Sequence, residues 1–372
     1  MKVPAPDPDL TTSRLIDLLR ASGWPLTEWG RAVDGAPLLS ARAGGDKQPA
    51  IFITAGAHCT ETAGVHAALN LLNLETEHEL HVLPLRDPFG FAGVNHCLSW
   101  AAGRPVTVAS HMEALDYLQA NATLVWQEGE LRIFKLGEVG FIWQSPGIPG
   151  VERWIKVHSR MCSLSASEPA ALKPLWGKSV MVVNAMPDVE GTGELGRCLH
   201  GVVSRTGEWL HLNRFLGRDD APPEVAAVER LLQTVRPALV CDLHEGNGSG
   251  FWMPISRPKE GAERVFEMTK AYFDYIHARG YPITTYEEWV ATDETAGKNY
   301  TLDWMRPEPR LPGMFWAYGI LRNEGYNLSD YVAEKFGIAF GTESPMGRPL
   351  AMRVDAITNG TLAAIKVWEQ GF

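Results

Sequence analysis

The chain runs to 372 residues, of which 45% are hydrophobic and 21% charged. That is enough apolar material for one large α/β core and too ordinary a composition for disorder, a coiled coil or a collagen-like repeat. Its 44 acidic residues outnumber 34 basic ones for a net charge of −10, and with no dense Lys/Arg run there is no field to attract a phosphate backbone or an anionic lipid surface, so neither nucleic acid nor membrane is an expected partner.

The opening MKVPAPDPDLTTSRL lacks an apolar segment of signal-peptide length, and no later stretch approaches the roughly 18 uninterrupted apolar residues of a membrane span. The expectation is a soluble, cytoplasmic protein. Cys59, Cys97, Cys162, Cys198 and Cys241 are odd in number and show no C-x-x-C spacing, which fits reduced, mostly buried thiols.

Residues 11–22 (TTSRLIDLLRAS) carry apolar positions at helical spacing behind Thr/Ser caps, with Gly23 as the stop. PLLSARA and PAIFITAG read as strands, the second ending at Gly56, and ETAGVHAALNLLNL reads as a helix. His58 is therefore bracketed by a strand, a tight turn and a helix. HELHVLPL, SVMVVNA, PALVCDL and GIAFGTE are further strand candidates, with helices over 223–236, 258–279 and 351–370. Strands alternating with helices predict a mixed, mainly parallel central sheet with helices on both faces. Between about 95 and 178 the pattern changes to a helix near ASHMEALDYLQA and a hairpin around Gly129. This reads as an α+β insertion in a single domain spanning 1–372, and insertions of this kind commonly line a cleft.

The sharpest chemical feature is AGAHCTET, in which His58 and Glu61 form an H-x-x-E pair just past an apolar strand. Ligands collect at strand ends of open α/β sheets. An imidazole and a carboxylate are competent zinc ligands, and a catalytic zinc needs about three protein ligands and an open position. His244, in LVCDLHEGN, also follows an apolar strand and supplies the third, with Asp242 placed to support an imidazole. The plain alternative is that these are hydrogen-bonded core histidines, since the chain has 11. Two histidines at strand ends favour the metal. There is no H-E-x-x-H, no G-x-S-x-G elbow and no complete P-loop.

In order, His58 and Glu61, Asn213 and Arg214 in HLNRFLG, His244 in DLHEG and Glu343 in FGTESP resemble the pattern of the zinc carboxypeptidase family. The chain is also similar to the related aspartoacylase and succinylglutamate desuccinylase group, although LNRFLGRD lacks the proline of that group's segment. The resemblance implies one zinc ion on His58, Glu61 and His244, with Glu343 as general base. It implies Asn213 and Arg214 as the anchor of a substrate carboxylate, and Arg197, 17 residues before Arg214, as the oxyanion cation, with Arg205 its rival. It also implies a substrate-capping tyrosine, for which Tyr318 and Tyr326 are both placed. The family's N-P-D-G-F turn has two altered counterparts, RDPFGF (86–91) and NAMPDVEG (184–191), of which the second matches better by its distance to Arg197.

The expected function is zinc-dependent hydrolysis of an amide bond beside a free carboxylate, removing the C-terminal residue of a peptide. The rivals are an N-acyl amino acid deacylase with the same metal centre and, from another class, a zinc-binding or interaction protein without turnover. The sequence leaves side-chain preference and oligomeric state open.

Overall fold

The structure, a computed structural model, describes residues 5–144, 150–183, 189–246, 248–292, 305–318 and 325–371. Its central sheet has six strands in the order Leu26–Arg31, Pro37–Gly44, His78–Leu83, Lys47–Ala55, Leu239–Gly246 and Ile338–Pro345. The last four run parallel to one another, and the first two join antiparallel at the edge. The sheet is mixed and mainly parallel, in an α/β fold.

Parallel strands are apolar on both faces because helices cover both. Ile51, Ile53, Leu239 and Cys241 pack with the helices Thr62–Leu71, Ala262–Ala278 and Leu350–Glu369, whereas the alternate positions Phe52, Val240 and Ala339 pack with Pro223–Val235 and Leu328–Lys335. The helix after His58 is buried almost throughout. It lies close enough to the sheet that a Cβ on Gly64 would stand 2.6 Å from the Leu243 carbonyl oxygen, so only glycine permits that approach.

SVMVVNA belongs elsewhere. Lys178–Val182 pairs with Val139–Gln144 and Leu199–Val203 in a second six-stranded sheet, ordered Trp209–His211, Leu199–Val203, Lys178–Val182, Val139–Gln144, Leu131–Leu136 and Thr123–Glu128. An apolar strand signal says nothing about which sheet receives it. The 95–178 segment thus contributes the helix His111–Asn121 and the hairpin around Gly129 to a layer that continues to His211. A third sheet of three short strands, Met253–Ser256, Met314–Ala317 and Met305–Pro307, stands beside Ile338–Pro345. All five cysteines are free thiols. Among the described residues, no helix is long and apolar enough to cross a membrane.

One buried ion pair ties these parts together. The side chains of Glu245 and Arg353 are fully buried and in contact. Glu245 also accepts from the Ala63 N–H at 2.6 Å and from Ser344 Oγ at 3.1 Å, while Arg353 donates to the Glu190 and Arg348 carbonyls at 2.6 and 2.8 Å. Removing the cation alone strands a carboxylate in the core. Arg353→Met is therefore expected to lower stability by about 3–5 kcal/mol in urea denaturation, and adding Glu245→Met to cost less than the sum of the two single changes. Additive costs would show that the pair does not act as a unit.

Candidate metal centre

The parallel register places the site. Asp242 lies opposite Thr54 on one side and Gly341 on the other, so His244 is the direct register partner of Glu343, and Lys47–Ala55 ends one residue short of that level. The chain leaves that strand through Gly56 and turns at His58, whose carbonyl accepts from the Glu61 N–H at 3.0 Å. Glu61 thus begins the helix Thr62–Leu71.

Two imidazoles and a carboxylate converge there. His58 Nδ1 lies 2.5 Å from Glu61 Oε1, and His244 Nδ1 lies 2.7 Å from Glu61 Oε2. One ligand atom from each of the three residues falls within 4.8 Å of the others. Nitrogen and oxygen donors in this number suit a catalytic zinc with an open position. His58, Glu61 and His244 are the residues that could hold the ion.

Behind His244 lies a charged network. Asp242 Oδ2 is 2.9 Å from His244 Nε2, and Asp242 Oδ1 accepts from Arg86 at 2.5 Å. Burial would raise the Asp242 carboxyl, but Arg86 and His244 hold it at about 2. Burial likewise opposes charge on Glu61, which His58 and His244 nevertheless keep at about 2. For His244, burial favours the neutral ring, yet Asp242 and Glu61 outweigh it and raise its pKa well above the usual histidine value.

Glu343 is half-buried on the neighbouring strand. Its backbone exchanges two hydrogen bonds with Trp252, at 3.0 and 3.1 Å. A Cβ on Gly246 would lie 2.9 Å from Glu343 Oε2 and 3.3 Å from Trp252 Nε1, so the glycine leaves room for that carboxylate. Burial pushes Glu343 up to about 8, against the pull of His244.

The remaining expected residues are distributed unevenly. Asn213 is at the centre but engaged inside the protein: Oδ1 accepts from Arg86 at 3.2 Å and from the Leu328 N–H at 3.1 Å, and Nδ2 stands 3.3 Å from His244 Nε2. Arg214 is half-buried and bonds the Asn213 carbonyl at 2.9 Å. Its charge acts on His211 and His158. Arg197 is not brought to the cluster. Its guanidinium donates to the carbonyls of Phe91, Gly196 and Leu10 and lies 3.7 Å over the Phe91 ring, and burial pushes its pKa down to about 10. Arg205 is exposed. Tyr318 and Tyr326 line a cleft of about 490 Å³ with Arg257, Asp330 and Glu334, whose lining includes none of the zinc-ligand candidates. Tyr318 Oη accepts from Arg257 at 2.9 Å. Of NAMPDVEG, residues 184–188 lie outside the described residues.

Two residues here carry no sequence expectation of a role. Arg86 comes from the RDPFGF segment, the counterpart that ranks second by spacing. His211 stands two residues before Asn213 in WLHLNRF, and its Nδ1 lies 2.9 Å from His58 Nε2. Burial and the Arg214 charge keep it well below the usual histidine pKa.

No protein-family model and no curated protein matches the chain. Among solved structures, it is similar to a metallo-carboxypeptidase from Burkholderia cenocepacia at 13% identity and TM-score 0.48, covering 97% of this chain and 69% of that one. It is similar to the carboxypeptidase A of Helicoverpa armigera at 12% identity and TM-score 0.44, covering 98% and 74%. It is also similar to bovine thrombin-activatable fibrinolysis inhibitor at 12% identity and TM-score 0.43, covering 97% and 96%.

His244→Ala removes one of three donors and is expected to reduce zinc in the purified protein from one equivalent to a small fraction, measured by elemental analysis. Because zinc must displace the proton that Glu61 and Asp242 hold on His244, affinity is expected to fall as pH falls, by roughly tenfold per unit for each proton released. Competition with a chromophoric chelator at pH 6, 7 and 8 checks the slope, and a flat profile would contradict it.

Proposed function

We propose that the chain is a zinc-dependent hydrolase that cleaves an amide bond beside a free carboxylate, removing the C-terminal residue of a peptide. The observation that carries the reading is the meeting of His58 Nδ1, Glu61 and His244 Nδ1 at adjacent strand ends, with Glu343 the register partner of His244. A zinc ion held there supplies a Lewis acid for the scissile carbonyl and acidifies a water molecule.

The chain's own residues supply the rest. Glu343 sits on a rigid strand with its carboxylate in a partly desolvated position, so it can take a proton from water and return it to the leaving amine. Arg214 offers the planar fork that matches a terminal carboxylate. Asn213, whose amide oxygen already accepts from Arg86 and the Leu328 N–H, steadies Arg86 rather than the substrate. The oxyanion role is not given to Arg197, because both of its Nη nitrogens donate to backbone carbonyls.

Glu343→Gln keeps the shape and removes the base. Turnover is expected to fall about 100-fold or more while zinc content stays at one equivalent; loss of zinc with activity would instead make Glu343 a ligand.

Amidating a peptide substrate removes the charge-assisted contact with Arg214. The expected loss is roughly 100-fold in kcat/KM for the native protein, and much less in Arg214→Ala. A dipeptide compared with an N-acetyl amino acid of the same C-terminal residue then separates peptidase from deacylase, with the peptide expected to be the better substrate. Absence of turnover on every such substrate, with zinc retained, would favour the binding protein.

A further inference from the structure

The two histidines of the metal centre are backed differently. His244 Nε2 faces the Asp242 carboxylate at 2.9 Å, whereas His58 Nε2 faces His211 Nδ1, also at 2.9 Å, with the two rings edge to face at a centroid distance of 4.7 Å. His211 is buried at 8% exposure on the strand Trp209–His211, and the His158 ring lies 5.9 Å beyond it. Among the described residues, no carboxylate is paired with His211 by a hydrogen bond or ion pair.

An imidazole that gives one nitrogen lone pair to a metal carries its hydrogen on the other, and the acceptor of that hydrogen fixes both tautomer and ring orientation. His58 Nδ1 points toward Glu61, so its Nε2–H is the group that must be received. The only ring atom of His211 in reach is Nδ1, an acceptor when that nitrogen is unprotonated.

Resting on the zinc-site reading above, we propose that His211 is a positioning residue: its Nδ1 accepts the Nε2–H of His58 and thereby commits His58 Nδ1 to the metal. The acceptor is a ring nitrogen and not a carboxylate oxygen, so His58 receives orientation without the negative charge that Asp242 brings to His244. If His211 were only filler between His58 and His158, an apolar ring of similar size would serve as well.

Bond count supplies a test. Asn and Asp carry Oδ1 as many bonds from Cα as His carries Nδ1, so either can present an acceptor at the same reach, one neutral and one charged. The measurements are zinc dissociation constants by chelator competition and the visible spectrum of the cobalt-substituted protein, which reports ligand geometry. His211→Phe is expected to bind zinc about 10–100-fold more weakly and to shift the cobalt bands. His211→Asn is expected to return within a few-fold of the native protein, and His211→Asp to bind at least as tightly as native. Native affinity and spectrum in the Phe variant, or an Asn variant as weak as Phe, would overturn the proposal.

If His211→Phe does not fold by circular dichroism, Asn is compared with His211→Gln, which moves the same amide one bond further; equal affinities overturn the proposal and weaker binding by Gln supports it. His58→Ala separates this failure from that of the site itself. A native protein without zinc, or zinc retained in His58→Ala, refutes the metal assignment and the inference with it.

Discussion

Glu245 sits one residue after His244 with its side chain fully buried against Arg353, and the site depends on that pairing. A carboxylate in this position is tolerable only when its cation and its hydrogen-bond donors are all present. The donors come from three directions: the Ala63 N–H beside Glu61, Ser344 beside Glu343, and Arg353 from the C-terminal helix. Each neighbour of a candidate catalytic residue is thus tied to one anion. Movement of any of these partners would leave a buried polar or charged group unpaired, which holds the backbone beside the metal-ligand candidates in place.

The parallel register does the remaining placement. Three adjacent parallel strands end on the same side of the sheet, so residues nearly 290 positions apart in the chain are brought to one end of it. The electrostatics follow from that crowding. Glu61 is shared by two imidazoles, and Asp242 is shared by an arginine and one of those imidazoles, so two buried carboxylates stay ionised despite desolvation. Glu343 receives no such partner and is pushed in the opposite direction. Divergent environments for carboxylates gathered at one end of the sheet separate a ligand, a supporting anion and a candidate base.

What was legible in the sequence was what local pattern encodes. His58, Glu61, His244 and Glu343 could be placed because each follows an apolar run, and such a run in an alternating α/β chain ends where ligands gather. Asp242 could be anticipated from its position two residues before His244. The sheet membership of SVMVVNA could not, because burial on both faces looks the same in either sheet. The direction of the Arg197 side chain is hidden for a related reason. The hairpin that pairs His211 with Gly201 returns Arg197 and Asn213 to the same end, so spacing along the chain is consistent with a shared site. Side-chain direction is a separate matter, and the Leu10 and Phe91 carbonyls capture the guanidinium. Arg86 carries no signal in the sequence, because a buried arginine is recognisable only once Asp242 and Asn213 stand beside it.

His211 shows how far a short motif carries information beyond its matched letters. Asn213 and Arg214 draw attention to HLNRFLG, yet the residue that touches a metal-ligand candidate on its outer face is the histidine at the start of that segment. Its strand alternation explains this. In Trp209–His211 the side chains at 209 and 211 share a face, and Trp209 Nε1 donates to His158 at 3.2 Å while His211 meets His58. The second sheet and the helix Gly150–Ser167 therefore form the wall against which His58 rests. A region that reads as an insertion by its change of pattern supplies, through His158, part of the packing that holds a metal-ligand candidate in place. Such a wall constrains the ring without charging it, which leaves Glu61 as the anion contacting His58.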